Sequence, residues 1–218
     1  LLLIAAYYSL NNKFSPDYSA YTLNEFTNIF KFILLVGSLM IFHYTYKHLK
    51  FLKILKIEYF TISLLGLIGT MIMISANSLL MLYLGIELLS LSLYALIGFN
   101  KKSSLSSEAA IKYYVLGAMS SGILLFGISL IYGFTGSITY DDIASQLINI
   151  DMNSVDYIAI IFGIIFITAS LCFKFGAAPF HMWVPDIYQG SLISTTILLS
   201  TLPKIAVFIV FLKLYFIP

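Results

Sequence analysis

Six long apolar segments, separated by short polar stretches, dominate the pattern of this 218-residue chain. A helix needs about 20 mostly apolar residues to cross a hydrocarbon core of about 30 Å. The segments are expected to be helical because lipid offers no partner to an unpaired backbone group. The predicted spans are Thr27–Tyr46, Tyr59–Ala76, Ser78–Phe99, Ala109–Phe134, Val155–Ala178 and Ser191–Ile217.

The pattern predicts an all-α integral membrane protein with one transmembrane domain, 27–218, preceded by an extramembrane segment, 1–26. Leu1–Leu10 is apolar but too short to cross a bilayer, so we expect a stub or a docked terminal segment. Small residues at near-helical spacing favour close helix packing over a dedicated partner surface. They are Gly66, Gly69, Ala118, Ser121, Gly122 and Gly127.

The fifth span is interrupted before it has crossed the membrane. Gly176 and Pro179 break the helix, and the residues that follow, among them Met182 and Trp183, are too apolar for a solvated loop. We therefore predict a broken or re-entrant helix that continues over 179–190, with its freed carbonyls turned into the protein. Discontinuous helices of this kind line ion sites in transporters.

Composition supports a membrane protein. The chain is 60% hydrophobic and 10% charged, with a mean hydropathy of +0.96, whereas soluble domains average about 25% charged residues. The single cysteine, Cys172, excludes an internal disulfide and a cysteine-ligated iron–sulfur cluster. No nucleic-acid partner is expected.

Loop charges predict the orientation of the spans. The loops after the first and third spans carry lysines, whereas the loop 135–154 carries aspartates and no lysine. The positive-inside rule places the lysine loops on the matrix or cytoplasmic side. The lysines are Lys47, Lys50, Lys53, Lys56, Lys101 and Lys102, and the aspartates are Asp141, Asp142 and Asp151.

All 12 basic residues are lysine, a bias typical of AT-rich genomes such as those of many organelles. We therefore expect the mitochondrial inner membrane, with the bacterial plasma membrane as the alternative.

Three ionisable residues lie inside predicted spans, where a lysine costs roughly 2.5–3.5 kcal/mol on insertion scales. They are Glu87 in the third span, Lys174 in the fifth and Lys204 in the sixth. A desolvated lysine gives up its proton readily, and an approaching carboxylate opposes that loss. We therefore predict that these three residues form a proton relay.

The neighbours of these residues suggest how they are held. Tyr83, Ser90 and Tyr94 share one helix face with Glu87. Ser170 precedes Lys174 by one turn, and Ser200 and Thr201 precede Lys204, so we expect them to be polar companions of the lysines. The alternative to a relay is a static ion pair that fixes helix register, although buried pairs often add little net stability.

Other polar residues have less specific interpretations. His181 is a proton shuttle or a hydrogen-bonded packing residue. Asp186 is expected to cap or brace the segment after Pro185, and Lys112 to pair with Glu108 four residues earlier. Lys213, near the far end of the sixth span, is expected to snorkel towards water.

Three motifs resemble the antiporter-like proton-pumping subunits of respiratory complex I (NADH:ubiquinone oxidoreductase), with the subunit 2 or bacterial subunit N type as the nearest match. The resemblance covers roughly 27–216. The motifs are Leu84-Gly-Ile-Glu-Leu-Leu-Ser90, Glu108-Ala-Ala-Ile-Lys-Tyr-Tyr114 and Phe173-Lys-Phe-Gly-Ala-Ala-Pro-Phe-His-Met-Trp-Val-Pro-Asp-Ile-Tyr-Gln-Gly190.

The resemblance implies a six-span antiporter-like repeat in which Glu87, Lys174 and Lys204 form the first half of a proton-translocation module. His181 falls in the motif Pro-Phe-His-x-Trp. The resemblance also implies that NAD, FMN, iron–sulfur clusters and ubiquinone belong to other subunits, with no cofactor in this chain. The expected partners are other membrane-arm subunits and membrane lipids, with cardiolipin fitting the lysine loops.

The chain departs from this family in length, because members continue into a second, inverted repeat. We therefore expect a shortened or split subunit, with a second polypeptide supplying the missing C-terminal repeat. Three alternatives remain: a multi-subunit cation/proton antiporter, a structural or assembly subunit of complex I, and a metal hydrolase using His181, Asp186 and His43. The last lacks metal-ligand spacing.

Overall fold

The computed structural model of the chain describes residues 2, 4, 5, 20–22, 24–148 and 154–216. The predicted stub Leu1–Leu10 lies outside the described residues except for Leu2, Ile4 and Ala5, which are helical. The helices of 24–148 and 154–216 are α1 (Glu25–Phe51), α2 (Ile57–Ser75), α3 (Leu79–Ile97), α4 (Ser104–Thr135), α5 (Tyr140–Leu147), α6 (Val155–Phe175), α7 (Val184–Gly190) and α8 (Ile193–Phe216).

Six of these helices, α1, α2, α3, α4, α6 and α8, are long and apolar enough to cross a membrane. They correspond one to one with the six predicted spans, so the prediction of an all-α, multi-pass membrane protein is confirmed. The bounds differ at the ends. Helix α4 begins five residues earlier than predicted, where Ser103 Oγ accepts a hydrogen bond from the N–H of Ser106 (3.3 Å).

Helix α5 was not predicted, because it is too short and polar for a hydropathy pattern to detect. It follows the left-handed turn at Gly136, and its first turn contains Asp141 and Asp142. Thr139 Oγ1 donates to Asp142 Oδ2 (2.5 Å) at the helix start. Acidic residues are stabilising at this position because the N-terminus of a helix carries partial positive charge.

The loops gather at two opposite ends of the bundle. At one end, Tyr59 of α2 packs edge-to-face on Phe99 after α3 (5.1 Å), and its hydroxyl bonds Thr195 of α8 (3.0 Å). At the other end, Asn77 Nδ2 donates to Asp141 Oδ2 (3.3 Å). The lysine loops therefore lie together at one end, here called the lysine end, and the Asp141 loop at the other, the acidic end.

Two helix pairs approach closely through glycine. A Cβ on Gly69 of α2 would lie 2.7 Å from the backbone nitrogen of Leu89 in α3. Between α4 and α6, a Cβ on Gly127 would lie 2.7 Å from the carbonyl oxygen of Gly163. About two turns away, Ser120 and Ser170 exchange hydrogen bonds across the same pair of helices. Small residues let helices meet at this distance, as the sequence predicted for Gly69 and Gly127.

Gly127→Leu is expected to destabilise the chain by about 1–3 kcal/mol or more, because the side chain would overpack the α4–α6 contact. The measurement is the thermal loss of folded chain from the detergent-solubilised protein. Gly122→Leu is the matched control, since nothing lies within 4 Å of a Cβ at that position on the same helix. Equal melting of the two variants would contradict the close approach.

Candidate functional site

Backbone hydrogen bonds cap the end of α6 at the break. Gly176 adopts a left-handed φ of 75° and ends the helix three residues before the predicted end at Ala178. Its N–H donates to the carbonyls of Cys172 and Phe173, each at 3.0 Å, and Ala177 N–H also reaches Cys172 O at 3.0 Å. Glycine suits this position because it has no Cβ to oppose positive φ.

A side chain completes the capping of this helix end. Trp183 is 3% exposed, and its Nε1–H donates to the carbonyl of Phe173 at 3.0 Å. Its ring packs on Tyr113 (5.0 Å) and on Phe173 (5.7 Å). The prediction of a broken helix with carbonyls turned into the protein is therefore confirmed at Phe173. The chain then resumes as α7, which has Pro185 in its first turn.

Lys174 lies one residue before the end of α6 and is only 6% exposed. Its ammonium donates to the Ser90 hydroxyl of α3 at 2.7 Å. The ring of Tyr94 lies with its centroid 6.0 Å from the same nitrogen. A buried cation thus has one neutral hydrogen-bond acceptor and one aromatic ring as its nearest partners.

Glu87 lies one turn before Ser90 on α3 but does not pair directly with Lys174. Its side chain is half-buried, and Oε1 is buried without accepting a hydrogen bond from any described residue. Within 24–148 and 154–216, neither Lys174 nor Lys204 forms a salt bridge with it. The carboxylate of Glu87 is thus one turn from the residue that binds Lys174 and is not its partner. The static ion pair considered from the sequence is not present.

Tyr94 is held beside Lys174 by a notch in α4. Gly117 provides the notch: a Cβ there would overlap the Tyr94 hydroxyl. A small cavity adjoins the lysine, with about 10 Å³ accessible to the centre of a water molecule, room for one water. Ser90, Tyr113 and Pro203 of α8 line it together with Lys174, so it connects the buried lysine to the helix that carries Lys204.

Lys204 occupies a different environment from Lys174. It is half-buried on α8, directly after the buried Pro203, which has no N–H for the helix ladder. Its ammonium lies 6.0 Å from the ring centroid of Tyr188 on α7. The structure therefore brings Glu87 and Lys174 together around Ser90, while Lys204 is held apart against α7.

The expectation that neighbouring hydroxyl side chains would be polar companions of the two lysines is wrong. Ser170 bonds Ser120 rather than Lys174. Ser200 and Thr201 donate to the carbonyl of Ile197 in their own helix rather than to Lys204. Serine and threonine hydroxyls commonly return to the preceding turn of their own helix, so spacing from a lysine does not predict contact.

The remaining candidates lie near the lysine end. His181 is exposed in the segment between α6 and α7. Asp186 braces α7 against α4: Lys112 Nζ lies 2.8 Å from Asp186 Oδ2 and also 2.8 Å from Glu108 Oε1. The predicted brace and the predicted pair of Lys112 with Glu108 are thus both confirmed. Within the described ranges, no three His, Cys, Asp or Glu side chains form a possible metal site, and the metal hydrolase has no support there.

Lys213, which was expected to snorkel towards water, reaches the acidic end of the bundle and binds protein groups there. Its ammonium donates to Thr22 Oγ1 (2.8 Å) and to the carbonyls of Ile74 (3.1 Å) and Ala76 (2.7 Å). It therefore satisfies the free carbonyls where α2 ends. Nearby, a cavity of about 420 Å³ opens at the acidic end, beside Lys213 and Tyr140. Burial raises the pKa of the Tyr140 hydroxyl, and none of the relay candidates lines this cavity.

Two features of this site were not predicted: the hydrogen bond from Lys174 to Ser90 and the notch at Gly117. The first had a signal, because Ser90 shares a face with Glu87. The notch had none, since a glycine in an apolar helix fits many packing roles.

Comparison with known proteins places this geometry in context. The family described as NADH:quinone oxidoreductase/Mrp antiporter, transmembrane, matches residues 76–218. Subunit N of the NADH-quinone oxidoreductase of Ruthia magnifica is 44% identical over 195 residues, covering 89% of this chain and 40% of that protein. The Pelagibacter ubique subunit N is 40% identical over 221 residues, covering 100% of this chain and 46% of the relative.

Solved structures give the same picture. A chain of respiratory complex I from Thermus thermophilus superposes with a TM-score of 0.76 at 27% identity, covering 97% of this chain and 45% of that one. A chain of an archaeal membrane-bound sulfane sulfur reductase shares the fold (TM-score 0.80, 24% identity, 99% and 46% covered). The chain thus spans less than half the length of the relatives it matches.

Trp183→Phe is expected to loosen the helix break while keeping an aromatic ring in place. Loss of the indole N–H leaves the Phe173 carbonyl with the Gly176 N–H as its donor, so the cost is that of one net hydrogen bond, about 0.5–1.5 kcal/mol. Hydrogen exchange of the peptide covering 173–183 should become faster. Tyr132→Phe, which alters an exposed ring on α4 away from the break, is the control. Unchanged exchange in Trp183→Phe would count against capping by tryptophan.

Proposed function

We propose, because this chain belongs to the NADH:quinone oxidoreductase/Mrp antiporter transmembrane family, that it forms a proton-translocating module of the membrane arm of respiratory complex I. Glu87, Lys174 and Lys204 are its proton-carrying groups. His181, exposed beside the helix break, exchanges protons with water as a secondary member.

The observation that carries this proposal is the environment of Lys174. The lysine is almost fully buried, its hydrogen-bond partner is the neutral Ser90, and the carboxylate of Glu87, one turn before Ser90 on α3, forms no salt bridge with it. Burial penalises the charged form of a group, and a mobile opposite charge changes that penalty. The ammonium can therefore lose or regain its proton as the distance to Glu87 changes.

Proton movement from Lys174 towards Lys204 would start at the cavity beside Lys174. The water-sized cavity beside Lys174 reaches Pro203, the residue before Lys204. One water with two to four polar partners can transmit a proton between neighbouring groups. This contact supports the order Glu87, Lys174, Lys204 along the module.

The redox reaction belongs to other subunits in this proposal. The chain has one cysteine, and iron–sulfur clusters in proteins require several cysteine ligands. NAD, FMN, iron–sulfur clusters and ubiquinone are bound by other subunits, and electron transfer from NADH to quinone drives the module at a distance. Its partners are neighbouring membrane-arm subunits and membrane lipids, with cardiolipin at the lysine end.

The length of the relatives supports a second part to the pathway. Subunit N relatives are more than twice as long as the stretch that matches this chain. A second repeat, either as a continuation of this polypeptide or as a separate one, would carry the proton from Lys204 onwards. The membrane is an energy-conserving one, with the lysine end facing the cytoplasm or matrix. The bacterial relatives favour the plasma membrane over the mitochondrial inner membrane.

A cation/proton antiporter is the second candidate, because the family description includes the Mrp antiporters. The same buried lysines would serve it. Purification from the native membrane discriminates the two: the proposal requires this chain to copurify with NADH-oxidising activity, whereas an antiporter would form an assembly without that activity.

Lys174→Met is expected to lower proton pumping by about tenfold or more, since a positioned proton-transfer group contributes roughly 10²–10⁴-fold to its step. The measurement is proton uptake by membrane vesicles during NADH oxidation in the intact complex. Glu87→Gln is expected to lower pumping in the same assay.

Lys101→Met is the matched control, because Lys101 is an exposed lysine in a loop. Its pumping should equal that of the unaltered chain. Normal pumping in both Lys174→Met and Glu87→Gln would overturn the assignment of the module and leave the structural or assembly role.

A further inference from the structure

Ser90 makes two hydrogen bonds that use different parts of its hydroxyl. Its proton is donated to the carbonyl of Ile86 in the preceding turn, at 2.7 Å. Its oxygen accepts from the ammonium of Lys174, also at 2.7 Å. A serine hydroxyl has one proton and two acceptor lone pairs, so the backbone bond turns a lone pair towards the lysine.

The position of Ser90 makes it compete with Glu87 for the ammonium of Lys174. The two residues are three apart on α3 and share one helix face, one turn from each other. The buried Oε1 of Glu87 accepts no hydrogen bond from the described residues. A lysine side chain is long and flexible, so its ammonium can turn from one acceptor to the other.

The other groups around Lys174 are uncharged side chains. Tyr94 faces it with its ring, and Tyr113 of α4 lines the adjoining cavity. Helix α8 contributes Pro203 and Val207 there, neither of which titrates. Among the described residues of α3, Glu87 is the only carboxylate, so it is the acidic group with which Ser90 competes for the ammonium.

We propose that Ser90 is a positioning residue that holds the ammonium of Lys174 away from Glu87 and so sets how often the two form a contact ion pair. The inference rests on the proposed relay. When the pair closes, an N–H bond of the ammonium breaks and an O–H bond forms on Glu87, leaving a neutral amine and a neutral acid. While the ammonium is bound to Ser90 instead, no proton is transferred and the lysine remains charged.

Ser92 offers a matched control on the same helix. It is also buried, and its hydroxyl donates to the carbonyl four residues earlier, Leu88, at 2.8 Å. It packs near Gly66 of α2 instead of Lys174. Ser92→Ala therefore removes the same backbone hydrogen bond as Ser90→Ala without altering the surroundings of the lysine.

The test uses the intact complex in membrane vesicles and two measurements. The first is the ratio of protons pumped to NADH oxidised. The second is the infrared carboxylate band of Glu87, assigned by its absence in Glu87→Gln. In Ser90→Ala the ammonium closes on Glu87, so the ratio should fall by about tenfold, the change expected when one hydrogen bond to a charged group is lost. The frequency of the Glu87 carboxylate band should also shift, because the carboxylate gains the ammonium as a partner.

Ser90→Thr keeps the hydroxyl and should restore both measurements, and Ser92→Ala should leave both unchanged. In the double variant Glu87→Gln with Ser90→Ala, the serine change should have no further effect, because the competitor is already gone. Additive losses in that double variant, or equal losses in Ser90→Ala and Ser92→Ala, would mean that Ser90 only packs the helix.

The outcomes separate this inference from the proposed function. If Glu87→Gln leaves pumping normal, the relay itself is wrong. If Glu87→Gln reduces pumping while Ser90→Ala leaves both the ratio and the carboxylate band unchanged, the relay stands and the positioning role of Ser90 is wrong.

Discussion

The backbone hydrogen bonds left open where α6 ends inside the bundle are the constraint on which the site depends. An unpaired carbonyl costs several kcal/mol in an apolar medium, so a helix can stop there only if the protein itself supplies donors. Gly176, Ala177 and Trp183 supply them. The interruption gives Lys174 its place, because a side chain in the last turn of α6 lies among α3, α4 and α8 instead of facing lipid.

The choice of a neutral partner for that lysine follows from the energetics of buried charge. A contact ion pair in a low-dielectric interior is hard to separate once formed, and its desolvation cost can exceed the Coulombic gain. A neutral hydroxyl binds an ammonium more weakly than a carboxylate does, and it does not fix the protonation state of the lysine. Lys174 bonds Ser90 and forms no salt bridge with Glu87, so the proposed relay leaves both its charged and its neutral form accessible. That property suits a relay better than a brace such as Lys112 with Asp186.

The sequence predicted what depends on long apolar stretches and on strong backbone preferences. The six spans and the break at Gly176 follow from hydropathy and from glycine and proline chemistry, and both are present. Buried ionisable residues could be found because they violate the apolar pattern. Their partners could not, because pairing across helices depends on rotation and depth: Ser170 lies one turn from Lys174 yet bonds Ser120. The short helix α5 left no hydropathy signal.

The two helical pieces on either side of the break, α6 and α7, provide different surroundings for the two lysines. Lys174 belongs to α6 and is held by α3, whereas Lys204 rests against Tyr188 on α7. Helix α7 is tied in turn to α4 through Asp186 and Lys112. The residues between Gly176 and Trp183 join these pieces, so a change of backbone angle there would alter the environment of both lysines. An uninterrupted helix would carry both sets of contacts on one rigid body and could not separate them. The break thus gives each lysine a different neighbouring helix, α3 for Lys174 and α7 for Lys204.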